Sequence, residues 1–105
     1  MPKLHRLFSR TRWLLSSSRI ADLGTNSHVG PDFSIHGEGF IHIGKNFSAG
    51  KSISLQVWPT ERYSDPALLI GSNVVMADYS YVSCAHHVSI GDGCLLGINA
   101  FITDN

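Results

Sequence analysis

Four places in this 105-residue chain hold side chains that could do chemistry. Asp78 and Tyr79 set a carboxylate beside a phenol. His86 and His87 are adjacent imidazoles, and Asp104 and Asn105 are the last two residues of the sequence. Trp58 and Tyr63 fall in QVWPTERYSDPALL, where Trp58-Pro59 and Asp65-Pro66 mark a surface loop. An aromatic ring there could stack on a sugar, and packing the loop down is the plainer role. His28, His36 and His42 read as surface residues and are assigned nothing.

Metal chemistry is not expected. Cys84 and Cys94 form no CxxC pair, and no Cys/His quartet has zinc spacing. The thiols read as reduced cysteines of a cytoplasmic protein, with a disulfide as the lesser alternative. A formal net charge of zero and a pI near 7 give no reason to expect nucleic acid as a partner. Charged residues make up only 15% of the chain, which with ten glycines points to a β-rich protein. No stretch approaches the ~20 apolar residues of a membrane span. Trp13-Leu14-Leu15 is too short for the apolar part of a signal peptide.

The elements that must hold these residues divide near position 20. Over residues 1–20, Leu4, Leu7, Phe8, Leu14 and Leu15 recur at roughly helical spacing among five basic residues. A short amphipathic helix is expected, covering the open end of the domain that comes after it. Weak association with an anionic membrane surface is the alternative.

From residue 21 to 105 the pattern changes. Apolar residues recur every six positions in four sets: Leu23, Val29, Ile35; Ile43, Ala49, Leu55; Ile70, Met76, Val82; Ile90, Leu96, Ile102. Gly or Ala comes directly after the first two members of every set and never after the third; seven of the ten glycines occupy that slot. Leu23 to Ile43 and Ile70 to Ile90 each span twenty residues, three hexads plus two extra at the third corner (GEGF, CAHH). Ile43 to Ile70 spans twenty-seven, so a loop insertion is expected around 56–69.

Three hexads per round describe a triangular coil of very short strands. The apolar residue points inward. Glycine stands next to it where a Cβ would be crowded or where positive φ is needed. Such coils stack into a parallel β-helix whose core exists only between neighbours. Spacing does not set its hand, and parallel crossovers normally run right-handed.

IGSNVVMADYSYVSCAHHVSIGDGCLLGINAFITDN and FSIHGEGFIHIGKNFSAGKSISL resemble the hexapeptide-repeat acyltransferases. Within these they are most similar to the O-acetyltransferases of maltose, galactosides and surface polysaccharides. The resemblance covers about residues 23–105. It implies an all-β, left-handed parallel β-helix, a homotrimer, acetyl-CoA as co-substrate, and a histidine that deprotonates a sugar or glycan hydroxyl.

The family's motif IGDxxxLGxxxxIxD puts that histidine two positions past Asn105, so the sequence is expected to be the N-terminal part of a longer enzyme, inactive alone. Asp104 and Asn105 would flank the histidine, with Asp104 orienting it. Acceptor contacts are implied near Asp78, Tyr79 and His86. Galactoside enzymes carry an Asn where this chain has Ala77, so that contact would pass to Asp78. A solenoid ending at Ile102 would leave an open apolar edge, so the chain alone is expected to be poorly stable or to associate.

Two other readings compete with this one. One is a truncated remnant or trimeric scaffold that transfers nothing. The other is a β-helix enzyme of the carbonic anhydrase type, which needs three histidines on a metal. His36 and His42 lie six apart, and His86 and His87 are adjacent; neither pair suits that site.

Overall fold

The structure, a computed structural model, describes residues 22–104. The expected N-terminal helix over 1–20, and Asn105, lie outside the described residues.

Twelve short strands succeed one another along the described residues. They are β1 (Asp22–Leu23), β2 (His28–Val29), β3 (Ser34–His36), β4 (Ile41–Ile43), β5 (Ser48–Ala49) and β6 (Ser54–Val57). After these come β7 (Ala67–Ile70), β8 (Val75–Met76), β9 (Tyr81–Cys84), β10 (His87–Ile90), β11 (Leu95–Leu96) and β12 (Phe101–Thr103). A single 3-10 turn, Glu38–Phe40, precedes β4. The described chain is therefore all-β.

The strands form three four-stranded sheets, β1-β4-β7-β10, β2-β5-β8-β11 and β3-β6-β9-β12. The chain visits the first, second and third sheet in rotation, and successive visits pair in parallel. Parallel neighbours need a long connection. Here that connection consists of the strands of the other two sheets.

Register matches the hexad spacing. Leu23, Ile43, Ile70 and Ile90 align in one column of the first sheet. Val29, Ala49, Met76 and Leu96 align in the second, and Ile35, Leu55, Val82 and Ile102 in the third. These side chains are buried in the two middle rounds and, Ile90 apart, partly buried in the first and last.

The core has further inward positions that the hexad sets did not contain. Phe47, Ile53, Val74 and Ser80 come four residues after the second- and third-round members of those columns, and all are buried. Ile41 and Leu68, paired across the first sheet, are at 0% exposure, and Val57 and Cys84 end third-sheet strands at 0%. Each large apolar side chain buried this fully stabilises the fold by roughly 1.5–3 kcal/mol. The Ser80 hydroxyl donates to the Ala77 carbonyl at 2.7 Å and lies 3.0 Å from that of Gly97, so its burial leaves no unpaired atom.

The corners correct one expectation. Positive φ does not fall in the glycine slot. It falls two residues later, at Asn26, Asp32, Asn46, Ser52, Asn73, Tyr79, Gly93 and Asn99, with φ between 58° and 73°. Asn and Asp tolerate this left-handed conformation because their short polar side chains can bond locally. At the first corner the asparagines also bond to one another. Asn26 Nδ2 donates to Asn46 Oδ1 (2.8 Å), and Asn46 Nδ2 to Asn73 Oδ1 (2.9 Å).

The glycine slot has a different cause, which is crowding by the next round. A Cβ on Gly44 would sit 2.6 Å from Ser72 Oγ and 2.7 Å from the Gly71 carbonyl carbon. A Cβ on Gly50 would collide with the Asp78 carboxylate. In both cases the space is taken by a side chain that accepts a backbone N–H of the lower round: Lys45 N–H to Ser72 Oγ (3.1 Å) and Lys51 N–H to Asp78 Oδ1 (2.8 Å).

The insertion is narrower than expected. It occupies 58–66, because Gln56 and Val57 continue β6 while residues 67–69 belong to β7. Among the described residues no helix is long and apolar enough to cross a membrane.

Gly44→Ala is expected to destabilise the fold by about 1–3 kcal/mol, since the clash is with backbone that cannot step aside. Gly39→Ala, where a Cβ would meet nothing within 4 Å, is expected to change stability by less than about 0.5 kcal/mol. Urea unfolding of the two variants measures the contrast.

Candidate functional site

The candidate residues do not converge on one place. Asp78 and Tyr79 occupy the corner between β8 and β9, whereas His86 and Asp104 meet at the corner between β9 and β10.

At the first of these, Asp78 is half-buried and its Oδ1 accepts the Lys51 N–H. One acceptor atom of the carboxylate therefore already serves the stack. Tyr79 is 48% exposed and left-handed at φ 66°. The other left-handed corner residues are Asn, Asp, Ser or Gly. A bulky aromatic there carries a backbone cost of about 1–2 kcal/mol.

Lys51 Nζ sits 5.1 Å from the Tyr79 ring centroid. Its hydrogen bond with the Tyr79 side chain, and then the electrostatic interaction with it, hold the ammonium above its ordinary pKa; Asp78 and Asp32 add to the effect. Sequence reasoning missed Lys51. Aligning the rounds would have found it, since Pro31, Lys51, Asp78 and Ile98 hold the same place in successive rounds.

At the second place the Asp104 carboxylate caps a corner. Its Oδ1 accepts the Ala85 N–H (2.7 Å), and its Oδ2 accepts those of His86 (2.8 Å) and His87 (2.7 Å). Burial pushes its pKa up, but these backbone donors outweigh that and hold it below the ordinary 3.8.

The exposed His86 ring stacks on Tyr63 with centroids 4.1 Å apart and planes 14° apart. The exposed His36 ring likewise stacks on Trp58 (3.7 Å, 23°). Trp58 Nε1 donates to Gln56 Oε1, which also accepts from the Tyr81 hydroxyl. The aromatics of the 58–66 loop are thus held down by histidines from the rounds on either side. His36 was read from sequence as a surface residue with no role, and Gln56 was not singled out. The signal was available, because His36 aligns with Gln56, two residues before Trp58.

His28 is exposed, with Nε2 3.1 Å from Asn26 Oδ1. His42 is half-buried and lines an open groove of about 400 Å³ along the first sheet, with Leu69, Ser89 and Asp92. Among the described residues the groove lining holds Asp92 and no lysine or arginine. Cys84 and Cys94 are free. Burial, and then the Asp104 charge, push the Cys84 thiol up, away from the nucleophilic thiolate form. Among the described residues no three His, Cys, Asp or Glu side chains gather as a metal site would require.

No family model, no curated protein and no solved structure matches this chain.

Both corners can be probed by stability. Tyr79→Asn should stabilise the fold by about 1 kcal/mol by relieving the left-handed tyrosine, read as a higher urea midpoint. Asp104→Asn should destabilise it at neutral pH by about 1 kcal/mol, the scale of a lost capping side chain. Because the folded pKa of Asp104 is depressed, its contribution is fully present above the unfolded value of 3.8. It fades as pH falls through the lower folded value. The gap between wild type and Asp104→Asn should therefore be constant near pH 7 and close below about pH 4.

Proposed function

We propose that this chain forms left-handed β-helical coils of hexapeptide repeats within a cytoplasmic, homotrimeric acyl-CoA-dependent O-acetyltransferase acting on a sugar or glycan hydroxyl. The observation that carries the reading is the lattice. Three parallel sheets are visited in rotation, with inward columns in register and a left-handed residue at all eight four-residue corners. That lattice supports the motif resemblance over residues 23–105. The left hand is taken from the resemblance.

In this mechanism a histidine takes the proton of the acceptor hydroxyl, whose oxygen attacks the thioester carbonyl of acetyl-CoA. Backbone N–H groups stabilise the oxyanion, which collapses to the acetyl ester. The CoA sulfur leaves and takes up the proton. The base is the histidine that the resemblance puts two positions past Asn105, and the donor site is not assigned to any described residue. The part given to this chain is acceptor binding by Asp78 and Tyr79, whose side chains share an accessible corner with Lys51.

A non-catalytic scaffold is the second reading. It is favoured by the fact that Asp78 and Asp104 both accept backbone N–H groups of their own stack.

The test is release of CoA thiol from acetyl-CoA over a panel of sugars, using protein made from its native gene. Sugar-dependent release is expected. Asp78→Asn keeps the oxygen that caps Lys51 N–H, and Tyr79→Phe keeps the ring. Each is expected to raise the KM for the sugar about tenfold while leaving kcat nearly unchanged, the mark of lost ground-state binding. A folded protein that releases no thiol with any sugar overturns the transferase and leaves the scaffold.

A further inference from the structure

The outer face of the third sheet carries side chains from the first three rounds that bond to one another at the surface. Gln56 is the hub. Its Oε1 accepts from Trp58 Nε1 (3.1 Å) and from the Tyr81 hydroxyl (3.0 Å), and its Nε2 donates to Ser54 Oγ (2.9 Å). Ser54 Oγ lies 3.0 Å from Ser34 Oγ. His36 stacks on the Trp58 ring.

Trp58 is the unusual member. His36 covers part of its ring and Gln56 takes its N–H, yet the residue is 45% exposed. A large part of a ring held at a fixed angle therefore stays open to solvent. The loop does not need it for closure. Thr60 N–H donates to the Tyr63 carbonyl (2.8 Å), Tyr63 N–H donates to Thr60 Oγ1 (3.0 Å), and Tyr63 stacks on His86. Nor does the corner need it, since residues 85–86 make the same turn one round later.

The polar members have bonding capacity to spare. Ser34 and Ser54 share one bond between two hydroxyls, so one O–H is left to donate outward. The Gln56 amide has a second N–H beyond the one given to Ser54. The face is also uncharged: among the described residues its outward positions in these rounds, Ser34, His36, Ser54, Gln56, Tyr81 and Ser83, include no Lys, Arg, Asp or Glu.

We propose that this face is a binding subsite for a neutral oligosaccharide. The C–H face of one pyranose ring lies on the open part of Trp58, and its hydroxyls exchange hydrogen bonds with the Ser34–Ser54 pair and Gln56. A sugar ring presents an apolar face and a rim of hydroxyls, and the site offers a partner to each. The indole and the amide are fixed beforehand by their own bonds, so binding costs little side-chain entropy. A nucleotide also stacks on an indole, but its phosphate calls for cationic partners that the face lacks. The inference rests on the proposed function and narrows its acceptor. Trp58 follows the end of β6 and Tyr79 precedes the start of β9, so they stand at opposite ends of the third sheet. An acceptor that touches both is a chain of sugars rather than a single one.

The test is NMR of the Trp58 indole N–H in protein made from its native gene, titrated with neutral tetrasaccharides of glucose, galactose and mannose and with the matching monosaccharides. The Trp58 signal is the one lost in Trp58→Phe. At least one tetrasaccharide should shift it, and the matching monosaccharide should bind at least tenfold more weakly. Followed on backbone amides, Trp58→Ala should weaken tetrasaccharide binding at least tenfold, and Trp58→Phe, which keeps a ring, should lose less. Glu61→Gln, in the same loop, should bind like wild type. If Trp58→Ala changes the β circular-dichroism spectrum, Ser34→Ala carries the test, with at least a threefold loss expected. No shift with any tetrasaccharide overturns the proposal, as does a folded Trp58→Ala that binds like wild type. Binding without thiol release removes the transferase and leaves the subsite. Thiol release whose KM for the tetrasaccharide is unchanged in Trp58→Ala removes the subsite and leaves the transferase.

Discussion

Successive rounds of this chain must approach to one hydrogen-bond length along their strands and at their first two corners. Strands do this readily, because backbone donors and acceptors face one another along the stack. Corners are harder, since a turn presents side chains and unpaired N–H groups to the round above. At the first two corners of each round the chain meets the difficulty with two residues. A glycine makes room, and two places later a left-handed residue aims its own N–H at the lower round: Asn46 to Thr25, Asn73 to Lys45, Tyr79 to Lys51. The apolar columns can then stack without gaps, and nearly all of the core lies between rounds rather than within one.

That division explains which features were legible in the sequence. Column membership depends on a six-residue period, which the order of the letters reveals directly, so the register of all twelve strands was legible. The role of the glycines was only half legible. Their positions were plain, but a glycine that is crowded and a glycine at positive φ look alike in a sequence. The left-handed residues are a mixture of Asn, Asp, Ser, Tyr and Gly, and such a mixture does not announce itself until rounds are laid over one another. Phe47, Ile53, Val74 and Ser80 were overlooked for a related reason. They sit at corners, where polarity is expected, yet they point into the stack.

Side-chain chemistry was legible at the level of place but not of partner. Asp78, Tyr79, His86 and Asp104 all stand at corners. Their partners are twenty or so residues away in sequence, one round off: Lys51 beneath Asp78, and Ala85 to His87 beneath Asp104. A carboxylate that looks free in a sequence can be committed to a neighbouring round's backbone. Tyr79 is the exception that matters for function. Its backbone conformation disfavours an aromatic, while its side chain is largely open to solvent. Stability alone gives no reason for a tyrosine there.

The third corner has no glycine slot and no left-handed ladder, and it is the corner whose length varies. The first two hold four residues in every round, whereas the third holds residues 37–40, then 58–66, then 85–86. Two edges of the molecule are thus dimensionally locked, and the third is the margin on which material can be added or removed. Lengthening a segment there leaves the spacing of all three sheets untouched. New recognition surfaces could be grafted along that single seam without re-engineering the rest, while an insertion of even one residue at either other corner would throw every later column out of step.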